Sequence, residues 1–182
     1  MQASTLTRIA GIAALALAGI VPASSRDVAT VPTVDLQRYA GTWHEQARLP
    51  NRFQAQCRSE VTATYTVQPD GAVDVLNQCR RADGAIDDAI GQAVVADPAQ
   101  PGLLSVTFLP KGLRWLPFGH AEYRIVALDP DYRWSIVGGE DREYLWLLTR
   151  SGEIDAQQRE ALIARARSLG YDTSRLMASP PR

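Results

Sequence analysis

Eight short runs of alternating apolar and polar residues, separated by tight-turn signals, restrict this chain to an all-β architecture. In Val61-Thr-Ala-Thr-Tyr-Thr-Val67, Val61, Ala63, Tyr65 and Val67 share one parity and three threonines take the other. That is the pattern of a strand with one face on a core and one face in water. Comparable runs cover residues 42–48, 72–79, 86–95, 103–109, 121–128, 133–138 and 144–149. Pro69-Asp-Gly71, Ala82-Asp-Gly84, Asp97-Pro98 with Pro101-Gly102, and Asp129-Pro-Asp131 punctuate them with residues that turn the backbone at low cost. Because no helical pattern interrupts the series, successive strands are expected to pair antiparallel, in a barrel or a sandwich.

One segment after the last run has helical spacing. Asp155 is placed to cap it, with Gln158 three residues on; Leu162, Ile163, Ala166 and Leu169 share a face, and Gly170 supplies the stop. A single amphipathic helix in this position is expected to pack on the outside of the sheet. The tail from Ser174 to Arg182 reads as a short extended segment.

At the other end, Arg8 precedes an uncharged apolar run of 13 residues, Ile9 to Val21. A span of that length is too short for a bilayer core, which needs roughly 20 residues, and Val21-Pro22-Ala23 offers small residues before Ser24. Residues 1–23 therefore read as a secretory signal, 24–34 as an aperiodic lead and 35–182 as the folded domain. Leu17-Ala18-Gly19 is followed by Ile20 where a lipid-modified protein would carry cysteine. The expectation is an exported periplasmic protein that is not a lipoprotein, with association with the outer membrane left open.

Export bears on Cys57 and Cys79. An even cysteine count in an oxidising compartment suggests a bridge, and the two residues fall at the far ends of strands joined by the turn at Gln68-Pro-Asp-Gly71. Two cysteines so placed make no zinc site. The balance of 19 basic against 20 acidic side chains, without a basic cluster, gives no footprint for a nucleic-acid backbone.

Four motifs in order carry a family resemblance: Tyr39-Ala-Gly-Thr-Trp-His-Glu45, Val61-Thr-Ala-Thr-Tyr65, Leu128-Asp-Pro-Asp-Tyr-Arg133 and Asp141-Arg-Glu-Tyr-Leu-Trp-Leu-Leu-Thr-Arg150. Together the set resembles the lipocalins, specifically the bacterial outer-membrane lipocalins of the apolipoprotein D branch. The resemblance implies an eight-stranded antiparallel up-and-down β-barrel with one C-terminal helix packed outside. It implies that Gly41, Trp43 and Arg150 form the closed end, with the guanidinium across the indole, and that Asp131 and Tyr132 belong to the turn motif there. It also implies a fatty acid or phospholipid/lysophospholipid ligand, held or carried for membrane maintenance.

Eight tilted strands enclose room for one small ligand. The candidate cavity residues are Ala63, Tyr65, Val75, Val106, Phe108, Tyr123, Ile125, Trp134, Ile136, Tyr144 and Trp146, with Gly91 and Ala93 as further small residues leaving space. At about 0.8 kcal/mol per buried methylene, fourteen methylenes contribute about 11 kcal/mol gross, which association costs reduce to micromolar or nanomolar binding. In the connection between the fifth and sixth strands, which the resemblance places at the open mouth, Leu113, Trp115, Leu116 and Phe118 lie beside Lys111 and Arg114. This loop reads either as a lid packed on the barrel or as a peripheral contact with a membrane surface.

Catalysis finds little support. His44 and Glu45 are strand neighbours pointing to opposite faces, and His120 with Glu122 at the mouth reads as surface. The protein is expected not to be an enzyme and to need no cofactor or metal. The alternatives are a lipid-modifying isomerase or hydrolase using a free Cys57 or Cys79 thiol, a carrier of haem or another hydrophobic molecule, and a pure interaction module. A monomer or a homodimer fits equally.

Overall fold

The computed structural model describes residues 28–179; residues 1–23, read from sequence as a secretory signal, lie outside them. Eight antiparallel strands, β1 (Gly41–Arg48), β2 (Cys57–Val67), β3 (Val73–Arg81), β4 (Ile86–Val95), β5 (Leu103–Thr107), β6 (His120–Leu128), β7 (Trp134–Gly138) and β8 (Leu145–Thr149), pair in chain order. Contact of β1 with both β8 and β2 closes the barrel. A ninth strand, β9 (Met177–Ala178), comes from the extended tail and adds to β1. Closure removes most of the unpaired edge that an open sheet would expose. The fifth strand is shorter than its alternation suggests: it ends at Thr107, leaving Phe108 and Leu109 at the mouth.

A short helix α1 (Leu36–Tyr39), capped by the Asp35 side chain, leads into β1. The long helix α2 (Ala156–Ser168) starts as its sequence indicates, with Asp155 Oδ1 accepting from the Gln158 backbone N–H at 2.7 Å. Leu162 and Ala166 are buried against Ile136, Leu145 and Leu147, and Ile163 and Leu169 pack at the margin. This second core lies outside the barrel wall, so β7 and β8 are apolar on both faces. The aperiodic lead is tied to the same side: Val28 is buried in that core, its carbonyl accepts from Arg124, and the Val31 N–H donates to the Ile125 carbonyl.

Two bulges disturb the parity of the strands. In β1 one extra residue between Glu45 and Ala47 lets Glu45 and Arg48 meet, their side chains 2.6 Å apart. A similar irregularity in β6 leaves Ile125 in the barrel interior while Ala127 joins the outer core. Bulges of this kind re-aim side chains at the rims of barrels.

The bridge between Cys57 and Cys79 is formed, across a sequence separation of 22. Loop-closure entropy for that span gives about 3 kcal/mol. Replacing both cysteines with alanine should lower the melting temperature by roughly 6 to 12 °C in calorimetry; an unchanged transition would mean that strand pairing alone fixes the hairpin.

Candidate functional site

At the closed end the sequence motif becomes a plug. Trp43 is fully buried, its indole N–H donating to the Tyr39 carbonyl at 2.8 Å, and the Arg150 guanidinium lies 3.9 Å from the ring centre. Arg150 also donates to the carbonyls of Arg38, Tyr39, Ala40 and Thr42 at 2.8 to 3.0 Å. Gly41 has φ +92°, a conformation that favours glycine, and a Cβ there would crowd Arg150 at 3.3 Å. Tyr132 accepts from the Asp35 N–H and carries Arg38 over its ring. Asp131, its partner in the motif, is exposed. The residue that organises this turn is Asp129, which accepts from the Asp131 and Arg133 backbone N–H groups and from the Arg133 side chain. Those donors hold its carboxyl below the usual range.

Above the plug the barrel encloses a cavity of about 750 Å³ that opens at the opposite end. Of the residues read as cavity-lining, Ala63, Tyr65, Val75, Val106, Phe108, Tyr123 and Trp146 line it. The others do not. Trp134 and Ile136 face α2 in the outer core, because β7 has the opposite parity and turns Ser135 and Val137 inward. Ile125 belongs with Trp43 to the packed part of the interior. Tyr144 precedes β8 and stacks between Trp146 and Phe53 at the rim. Gly91 leaves its space to the Phe108 ring, 2.8 Å from where a Cβ would stand.

Polarity rises along the wall toward the opening. On β3 the lining runs from Val73 and Val75 to Asn77 and then the disulfide; on β4 it runs from Ala93 to Asp88 and Asp87. An apolar body with a polar mouth suits an amphiphile bound tail first. A buried polar cluster absent from the sequence-based reading braces one side of the mouth. Glu45 accepts from Arg48, from Gln54 at 2.7 Å and from Ser179, while Gln54 accepts from the Trp146 indole at 2.8 Å. Its only trace in sequence is that Glu45 shares the inward parity of Trp43.

The floor is polar too. Tyr39, Tyr65 and Tyr123 line the cavity with hydroxyls in contact, and Ser135 lies behind Tyr39. Burial pushes the Tyr39 hydroxyl up to about 12 and holds Tyr65 and Tyr123 well above the usual phenol value, so all three stay neutral at physiological pH.

The mouth loop does not fold inward. Trp115 is 77% exposed and Phe118 63%, with Leu113 also exposed and Leu116 half-buried, which argues against the lid. His120 anchors the loop to the wall: its Nε2 meets the Arg114 carbonyl at 3.0 Å and its Nδ1 meets Ser105 Oγ at 3.2 Å. Glu122 is engaged by Arg124 at 2.7 Å. Both thiols are consumed by the bridge, which removes the nucleophile that the cysteine-enzyme alternative requires. Among the described residues no helix is long and apolar enough to cross a membrane.

Residues 34–181 match the family model for a lipocalin-like domain. The chain is 34% identical over 178 residues to the outer membrane lipoprotein Blc of Escherichia coli K12, covering 97% of this chain and 96% of that one. It is 28% identical over 128 residues to apolipoprotein D of Macaca fascicularis, covering 68% and 64% respectively. Among solved structures, insecticyanin from the tobacco hornworm Manduca sexta superposes with a TM-score of 0.67 at 20% identity, over 86% of this chain and 85% of that one.

Proposed function

This chain belongs to the lipocalin family, whose members bind hydrophobic small molecules, and on that premise we propose that it holds and carries one acyl lipid. The ligand is a fatty acid or a (lyso)phospholipid, and the place of work is the bacterial cell envelope. One observation carries the reading: a 750 Å³ apolar cavity, closed below by Trp43 and Arg150, opens through a polar mouth. A volume of that size suits a single drug- or lipid-sized ligand. The likeness to an outer membrane lipoprotein supports the envelope location, while Ile20 in place of a lipidated cysteine favours a periplasmic form not anchored by lipid. Displacement of a fluorescent fatty acid by palmitic acid and by lysophospholipid tests the ligand class; failure of both to displace it, with no direct uptake, counts against the reading.

The rim extends the proposal to a peripheral membrane contact. Phe53 stands exposed with Arg52 over its ring, and Leu113, Trp115 and Phe118 stand exposed in the loop that also carries Lys111 and Arg114. Aromatic side chains with basic neighbours favour the headgroup layer. Replacing Trp115 with Ala and Phe118 with Ser should weaken association with anionic liposomes roughly tenfold, and slow lipid transfer in parallel, while leaving affinity for a soluble fatty acid unchanged. Equal liposome binding by the variant would remove the loop from the mechanism.

A further inference from the structure

The four hydroxyls at the cavity floor form a chain whose hydrogens can be counted. Ser135 Oγ and Tyr39 Oη are 3.1 Å apart, Tyr39 and Tyr123 2.8 Å, and Tyr123 and Tyr65 2.8 Å. Four hydroxyls bring four hydrogens, and three contacts use three of them. Ser135 is fully buried, does not line the cavity, and has Tyr39 as its hydroxyl's partner. Its hydrogen therefore goes to Tyr39, since a buried donor left unpaired is costly. That choice fixes the rest: Tyr39 donates to Tyr123, Tyr123 donates to Tyr65, and the Tyr65 hydrogen is left facing the cavity that its ring lines.

We propose that Tyr65, at the end of this chain, donates a hydrogen bond to a neutral oxygen carried on the buried end of the ligand. The class is an amphiphile with a hydroxyl, ketone or ester oxygen on the segment that reaches the floor. A plain methyl terminus displaces whatever water meets Tyr65 and leaves the donor unpaired. A carboxylate is disfavoured in the same position. Arg150, whose charge acts on Tyr39, lies across Trp43 and spends its nitrogens on backbone carbonyls, and a buried anion without a hydrogen-bonded cationic partner pays a large desolvation penalty. An ionised headgroup accordingly stays at the mouth. Burial holds the three tyrosines protonated, so the donor persists throughout the physiological pH range.

The inference rests on the acyl-carrier reading, and its test separates the two. Wild-type protein is titrated with palmitic acid and with its ω-hydroxy analogue. The analogue should bind at least as tightly as the parent. Removing the Tyr65 hydroxyl alone passes the free hydrogen back to Tyr123, and removing both passes it to Tyr39, which also lines the cavity. The decisive variant is therefore Tyr39→Phe with Tyr65→Phe and Tyr123→Phe, leaving only Ser135, which does not line it. In that variant the affinity for the analogue relative to palmitic acid should fall about tenfold. An unchanged ratio, or a wild type that binds palmitic acid but rejects the analogue, overturns the floor site alone. Binding of neither ligand overturns the carrier reading and this inference with it. A second readout needs no variant: an isotope-labelled ketone near the end of the palmitic chain should show its carbonyl stretch shifted below the alkane-solvent value when bound, and an unshifted band overturns the proposal.

Discussion

Arg150→Ala should lower the free energy of unfolding by about 3 kcal/mol. Three effects combine. The cation over the Trp43 ring, 3.9 Å from its centre, contributes roughly 0.5 to 2 kcal/mol. The charge-assisted bonds to the carbonyls of Arg38, Tyr39, Ala40 and Thr42 are individually stronger than neutral ones, although partial exposure discounts them. Their loss also leaves carbonyls at the end of α1 without a donor. Arg150→Lys should recover little, because one ammonium cannot both lie flat on an indole and reach four carbonyls. Urea titration of the two variants against wild type provides the check. A lysine variant as stable as wild type would reduce the role of Arg150 to that of a point charge.

Gly138→Ala should cost about 3 kcal/mol for a different reason. A Cβ at this position in β7 would stand 2.0 Å from the Tyr171 hydroxyl oxygen and 2.8 Å from Cζ. Tyr171 is itself buried in the outer core, and its hydroxyl is the one buried side-chain polar atom among the described residues without a hydrogen-bond partner. Overpacking of this severity lies at the upper end of the usual 1 to 3 kcal/mol range, and the expected drop in melting temperature is roughly 6 to 12 °C. Tyr171→Phe removes the atom in the worst contact, so the double variant should recover part of the loss, and the two changes should not add. Full additivity would show that the glycine matters for something other than the tyrosine that covers it.

These two positions illustrate what alternation can and cannot reveal. The bounds of β4, the cap of α2 and the pairing of the cysteines were legible because each depends on local chemistry: period-2 patterning, an Asp before a helical run, and a turn at Pro69-Asp-Gly71. Register was not legible in β7. With α2 covering the outside, Ile136 and Val137 are both apolar and both buried, and alternation carries no sign of which faces inward. Parity counted through the bulges in β1 and β6 changes face, and alternation does not mark where they fall. Tyr65 and Tyr123 were readable as cavity residues from their strands. Tyr39 and Ser135 complete the hydroxyl chain from α1 and β7, and only the closed barrel brings these segments together. The mouth loop was legible in composition but not in direction: Trp115 and Phe118 allowed an inward or an outward fold, and the structure turns them out.

The central claim is that the barrel holds one acyl lipid, and its most direct test is native mass spectrometry of the mature protein purified from periplasm, followed by organic extraction of what co-purifies. The account predicts one fatty acid or (lyso)phospholipid per barrel, released together with the added mass. A protein that emerges empty, and stays empty after incubation with fatty acid and lysophospholipid, would contradict it.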